Sequence, residues 1–139
     1  MELKIQDLCV RFSTPSGEIP AVNHVSLTFS PDTVTGIIGE TGSGKSVLGL
    51  SILGLLQSNA AVSGQIFLGK RELTALSQRE LCQVQGRDIA LVAQNPATSL
   101  NPSLRVGRQI EEVFRLRGEN RAQRRAHTLE LLRSMAFSD

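Results

Sequence analysis

Eight consecutive residues constrain this chain more than any other stretch: Gly39–Glu40–Thr41–Gly42–Ser43–Gly44–Lys45–Ser46. The string meets the pattern of Gly, four residues, Gly, Lys and Ser. It follows a short apolar run at residues 34–38 and precedes one holding Val47, Leu48, Leu50, Ile52, Leu53, Leu55 and Leu56. A strand, a loop and a helix are expected in that order, the helix apolar around most of its circumference and packed deeply against a sheet. The glycines matter because such a loop turns its backbone N–H groups inward around phosphates, in conformations and close approaches that a Cβ obstructs. The helix N-terminus and its dipole favour a bound anion, Lys45 is positioned to reach β- and γ-phosphate oxygens, and the Ser46 hydroxyl to ligate Mg²⁺. Average composition alone produces such a string in about one chain in 200, and the flanking elements make coincidence remote.

The rest of the chain offers an ordinary globular setting. A chain of 139 residues suits one domain and buries about two-thirds of its extended surface on folding. Hydrophobic residues make up 40% and charged residues 20%, which argues against a disordered or fibrous chain. No apolar run reaches the ~18 residues that cross a bilayer, and Met1–Glu2–Leu3–Lys4 opens no signal-peptide stretch, so a cytosolic location is expected. Cys9 and Cys82 lack metal-ligand spacing and are expected as buried free thiols. The net charge of +2 hides a basic segment: residues 105–133 hold eight arginines against four glutamates. Because the glutamates are interleaved on helical patterns, a solvated or protein-docking face is favoured there over nucleic acid.

Coarse periodicity divides the chain near Gln94. Residues 3–12 and 22–29 read as strands joined by turn chemistry at 13–17, and residues 65–69 as a further strand with a turn. Ser77 with Glu80 forms a capping-box pattern and Gly86 a left-handed stop, so a short helix is predicted over 78–85. A buried strand is predicted at 89–92. Beyond it, Val106, Ile110, Val113 and Phe114 share one helical face ending near Gly118, and Asn120 with Gln123 caps a second helix bearing Ala126, Leu129, Leu132 and Ala136. The expected units are a nucleotide-binding core over 1–94 and the start of a helical subdomain over 95–139.

With the loop GETGSGKS, the run that follows Val92, Ala93–Gln94–Asn95–Pro96–Ala97–Thr98–Ser99–Leu100–Asn101–Pro102, carries a family resemblance. The chain resembles the ATP-binding subunits of ABC transporters, in the form found in oligopeptide, dipeptide and nickel importers, and the likeness spans essentially all of it. The fold this implies is α/β, a P-loop NTPase core with an N-terminal antiparallel β portion and the start of an α-helical subdomain. The resemblance makes Gln94, 49 positions after Lys45, the Q-loop glutamine whose amide reaches the Mg²⁺ and attacking-water region. The plain alternative is a surface glutamine at a strand end. Phe12 matches the aromatic position that stacks on adenine, and is equally readable as a core side chain. The glycines of the 63–69 segment resemble the family's β-hairpin region.

The resemblance implies nucleotide contacts from Phe12, Gly39, Glu40, Thr41, Gly42, Ser43, Gly44, Lys45, Ser46 and Val47, catalytic roles for Lys45 and Gln94, and Mg²⁺ held through Ser46 and Gln94. It implies ATP and Mg²⁺ as cofactors. It implies membrane permease subunits and a second ATP-binding subunit as partners, a solute-binding protein indirectly, and a peripheral place on the cytoplasmic face of the membrane. Peptide and nickel stay open as cargo.

The family's LSGGQ signature, its Asp–Glu strand end and its switch histidine are not found in these 139 residues; neither His24 nor His127 matches the last. Slow turnover by this chain alone is therefore expected, together with unpaired edges on the strands at 34–38 and 89–92, as for an N-terminal fragment or truncated product. A non-catalytic nucleotide-binding or interaction module is the competing reading. A P-loop kinase or GTPase is disfavoured by the Q-loop run and by the lack of an Asn–Lys–x–Asp guanine motif, and a nucleic-acid-binding ATPase by the interleaved glutamates.

Overall fold

The structure is a computed structural model that describes residues 1–95 and 99–136. It separates into two compact units, Met1–Ile89 and Ala90–Asp139.

The first unit is built on a four-stranded antiparallel sheet. Strand β1 (Leu3–Thr14) turns at Pro15 and Ser16 into β2 (Gly17–Phe29), and the two pair antiparallel from Leu3 opposite Phe29 to Thr14 opposite Gly17, with register shifts between Ile5 and Arg11. On the other edge of β1 lies β3 (Ala60–Leu68), which folds back through Gly69 into the two-residue β4 (Arg71–Glu72), giving the order β2-β1-β3-β4. The antiparallel portion expected from the sequence is therefore present, and β3 begins earlier than its glycines suggest.

One irregularity crosses the sheet. Asp7 and His24 sit in the left-handed region at φ 49° and 50°, where the β1–β2 register shifts. Their side chains bond each other, Nδ1 to Oδ1 at 2.7 Å. On the far side of β1, Gly64 at φ 91° carries no Cβ to meet the Asp7 carbonyl.

Helix α1 (Lys45–Ile52) and helix α2 (Gln78–Val84) complete this unit. Ile5, Leu8, Val10 and Ile66 from the sheet pack with Val22, Leu48, Leu73 and Val84 into one core. The Gln85 side-chain amide donates to the Leu53 carbonyl at 2.7 Å, tying the ends of the two helices together. The capping box at Ser77 and Glu80 is formed as the sequence predicts, with Gly86 at φ 74° just beyond.

Three expectations are corrected. The helix after the loop does not continue to Leu56. Gly54 at φ 64° ends it, with its N–H on the Ser51 carbonyl and that of Leu55 on Leu50, a Schellman pair. The deeply packed helix is accordingly short, with Leu48 and Ser51 its buried residues.

The predicted strands at 34–38 and 89–92 are not strands here. Val34 and Ile38 are fully exposed, as is Val92, and among the described residues the only ladder contact of these segments is a bridge between Gln85 and Ile89. A strand buried on both faces of a parallel sheet holds its shape through neighbours on either side, and no described strand runs beside these segments. Finally, both cysteines are free, yet only Cys9 is buried; Cys82 is exposed on α2.

The second unit is a helical hairpin, α3 (Val106–Leu116) followed by α4 (Arg121–Ser134). Gly118 at φ 83° closes α3, and Asn120 and Gln123 form a reciprocal capping box on α4, both as predicted. His127 bonds Glu119 at 2.8 Å, and its ring lies 5.5 Å from that of Phe114. No helix of the described residues is long and apolar enough to cross a membrane.

Candidate functional site

The glycine loop is assembled by its own backbone. Gly42 and Gly44 both stand at φ 87°, a region that an L side chain enters only under strain. A Cβ on Gly39 would fall 2.7 Å from the Ser43 hydroxyl, and one on Gly44 would run into the Ala21 carbonyl oxygen of β2. Gly44 is thus required twice over, for its conformation and for the close approach of the loop to the sheet.

Helix α1 then starts without help. Gly44 is its N-cap, no side chain caps it, and its first turn carries no acidic residue. The first N–H groups of a helix lack partners within it and carry its positive dipole end. Here they lie at the mouth of a loop free of side-chain bulk at three positions.

Lys45 is folded over this loop. Its Nζ donates to the Gly39 carbonyl at 2.7 Å, the Glu40 carbonyl at 2.6 Å and the Ser43 hydroxyl at 3.3 Å. An ammonium gathered by neutral oxygens rather than a carboxylate keeps its charge uncompensated, which is the state that attracts an anion. Glu40 also accepts from the Ser43 N–H, closing the turn. Thr41 and the Ser46 side chain are exposed, and Val47 is half-buried against the core.

Phe12 occupies a defined place relative to this loop. Val22, whose methyl faces Gly44, pairs with Val10 of β1. Two residues on, Phe12 shares the face of Val10, pairs with Ile19 and Ala60, and is half-buried against the core cluster. Its ring belongs in part to the core, on the face of the sheet that carries the glycine loop.

Gln94 lies in the second unit, exposed at a bend. Residues 96–98 of the run that follows lie outside the described residues. Its remaining turn is ordered by Gln109, which accepts from the Asn101 N–H and donates to the Asn101 and Leu104 carbonyls. A cavity of about 390 Å³ in the first unit sits at the opposite end of α1 and touches none of residues 39–47.

Sequence reasoning missed Ala21 and Val22, which set the seat of Gly44. Nothing local marks them, because the approach is made by a strand more than twenty positions away.

The family described as ABC transporter matches residues 22–139. The chain is 38% identical to an oligopeptide transport ATP-binding protein, OppD, of Salmonella typhimurium, over 94% of this chain and 39% of that one. It is 35% identical to the oligopeptide transport ATP-binding protein AppD of Bacillus subtilis, over 98% of this chain and 42% of that one. It thus spans about two-fifths of the length of these curated relatives. A dimeric ATP-binding cassette solved in a post-hydrolysis state bound to ADP and Pi superposes with a TM-score of 0.76 at 23% identity, over 99% of this chain and 58% of that chain. That likeness shows the fold, an α/β P-loop cassette.

Proposed function

The chain belongs to the ABC transporter family, and from that premise we propose that residues 39–46 bind the triphosphate of ATP, as part of the nucleotide-binding subunit of a peptide importer. The observation that carries this reading is the Lys45 ammonium, held over an uncapped helix start by two backbone carbonyls and one hydroxyl. The residues fit the group, because Gly42 and Gly44 hold the loop at φ 87°, Gly39 has no Cβ to crowd the Ser43 hydroxyl, and the charge at the loop has no carboxylate bonded to it among the described residues. Gly39, Gly42 and Gly44 supply the cradle, the backbone N–H groups of Gly44, Lys45, Ser46 and Val47 face the anion, and Lys45 balances its charge. Glu40, Thr41 and Ser43 form the outer wall, Phe12 is the aromatic residue that would stack on the base, and the Ser46 hydroxyl would hold Mg²⁺; Gln94, in the second unit, keeps the role of the family's Q-loop glutamine. The metal supplies charge neutralisation between phosphate oxygens when bound.

The names of the relatives favour peptides over nickel as cargo. Permease subunits and a second ATP-binding subunit are the proposed partners, with a solute-binding protein acting through them. The place of work is the cytoplasmic membrane face, and the docking surface runs from residue 95 to 117. Hydrolysis by residues 1–139 alone is proposed to be slow. Gln94 is exposed at a bend and the 89–92 segment before it is not held in a sheet, whereas phosphoryl transfer depends on positioned groups. That observation also favours the second reading, a nucleotide-binding module without turnover.

Titration of Mg–ATP into the wild-type chain and into Lys45→Ala tests the assignment. Loss of one charge-assisted contact set is expected to weaken binding roughly 10- to 100-fold. Equal affinities would remove Lys45, and with it the loop, from the site.

A further inference from the structure

The helical hairpin carries a second cleft, of about 680 Å³, whose chemistry the nucleotide reading does not use. It lies wholly within the second unit. Arg105 and Arg108 line it from the start of α3, Arg121 and Arg125 line it from the first turns of α4, and Glu111 is the one carboxylate on its wall. None of the four arginines forms an ion pair with a described residue. Four cations around one space repel each other, and a single glutamate offsets only part of that, so the cleft is electrostatically set for an anion.

Two independent features point the same way. Helix α3 has no side-chain cap and neither helix holds an acidic residue in its first turn, so the N-terminal dipole of α3 adds to the positive potential. Thr128, only 4% exposed, lines the same cleft, and its Oγ1 is buried with no hydrogen-bond partner among the described residues. A buried hydroxyl without a partner is unfavourable, and a ligand oxygen in the cleft would supply the acceptor.

We propose that this cleft binds a phosphate group. Guanidinium forks match phosphate oxygens in pairs, and an anion with several oxygens is the ligand that satisfies separate arginines and one hydroxyl together. The phosphate is either a soluble ion or the headgroup of an acidic lipid.

The test uses the chain with Lys45→Ala, which weakens anion binding at the glycine loop, and reads the cleft through its own amides, so that failure of the nucleotide reading stays distinguishable. Inorganic phosphate is titrated while the amide signals of residues 103–132 are followed. In parallel, the protein is sedimented with phosphatidylcholine vesicles with and without phosphatidic acid. Shifts with inorganic phosphate assign a soluble ligand; sedimentation only with phosphatidic acid assigns a lipid. In whichever arm binds, Arg121→Gln with Arg125→Gln is expected to weaken binding by about tenfold or more. Thr128→Val, which keeps shape and charge, is expected to weaken it roughly threefold. Absence of binding in both arms overturns the proposal. So does binding that the charge-matched control Arg11→Gln with Lys70→Gln lowers as much as the cleft variant, or that Thr128→Val leaves unchanged.

Discussion

Gly44 bears the most demands of any residue in the chain. It adopts φ 87°, it faces the Ala21 carbonyl where a Cβ has no room, and it caps the helix that follows. Gly44→Ala is therefore expected to lose stability by about 1–3 kcal/mol in urea unfolding and to lose Mg–ATP affinity with it. Unchanged stability would mean that the loop relaxes freely. Ala136 presents the reverse case, since it stands at φ 60° just after α4, where glycine is the unstrained choice. Ala136→Gly is expected to raise stability by about 1 kcal/mol, and a fall in the urea midpoint would contradict that. The first position was legible in the sequence because the spacing of Gly39, Gly44, Lys45 and Ser46 carries a mechanism. The second was not, because alanine gives no turn signal and its conformation is set by where the helix ends.

Among the elements, capped helix starts are legible in the sequence, whereas a helix end is legible only where its glycine stands outside an apolar run, as Gly86 and Gly118 do and Gly54 does not. Ser77 with Glu80 and Asn120 with Gln123 follow a three-residue rule that holds without tertiary context, and both boxes are formed. Gly54 gives no stop signal inside its apolar run, yet its left-handed conformation and the Leu81 side chain beside it cut α1 short. Asn120→Ala should cost about 1 kcal/mol of hairpin stability, measured as helicity on heating. At the other box, hydrogen bonds from the Ser77 hydroxyl and then its backbone N–H, with Arg71 nearby, hold the Glu80 carboxyl below its ordinary value. Its contribution is thus present at neutral pH, above the unfolded value, and is lost as pH falls through the lowered folded value. Amide exchange of α2 should rise over that acidic range in the wild type and be pH-flat in this respect in Glu80→Gln; identical profiles would refute the linkage.

Over the whole molecule, what was legible was local. The β1–β2 hairpin and the α3–α4 hairpin each bring together residues close in sequence, so turn and cap signals suffice. The apolar runs at 34–38 and 89–92 announce buried strands, but a strand of that kind is completed by distant neighbours, and apolarity alone does not name them. Their exposed side chains predict self-association. Ile38→Lys should raise the concentration at which light scattering appears without lowering the melting temperature, and an unchanged threshold would show that these segments are not the cause. The central claim is tested most directly by adding Mg–ATP to ¹⁵N-labelled protein and following the backbone amides. The account predicts large shifts at Gly39, Gly42, Gly44, Lys45 and Ser46. Shifts confined to other residues, with those five unmoved at saturating nucleotide, would contradict it.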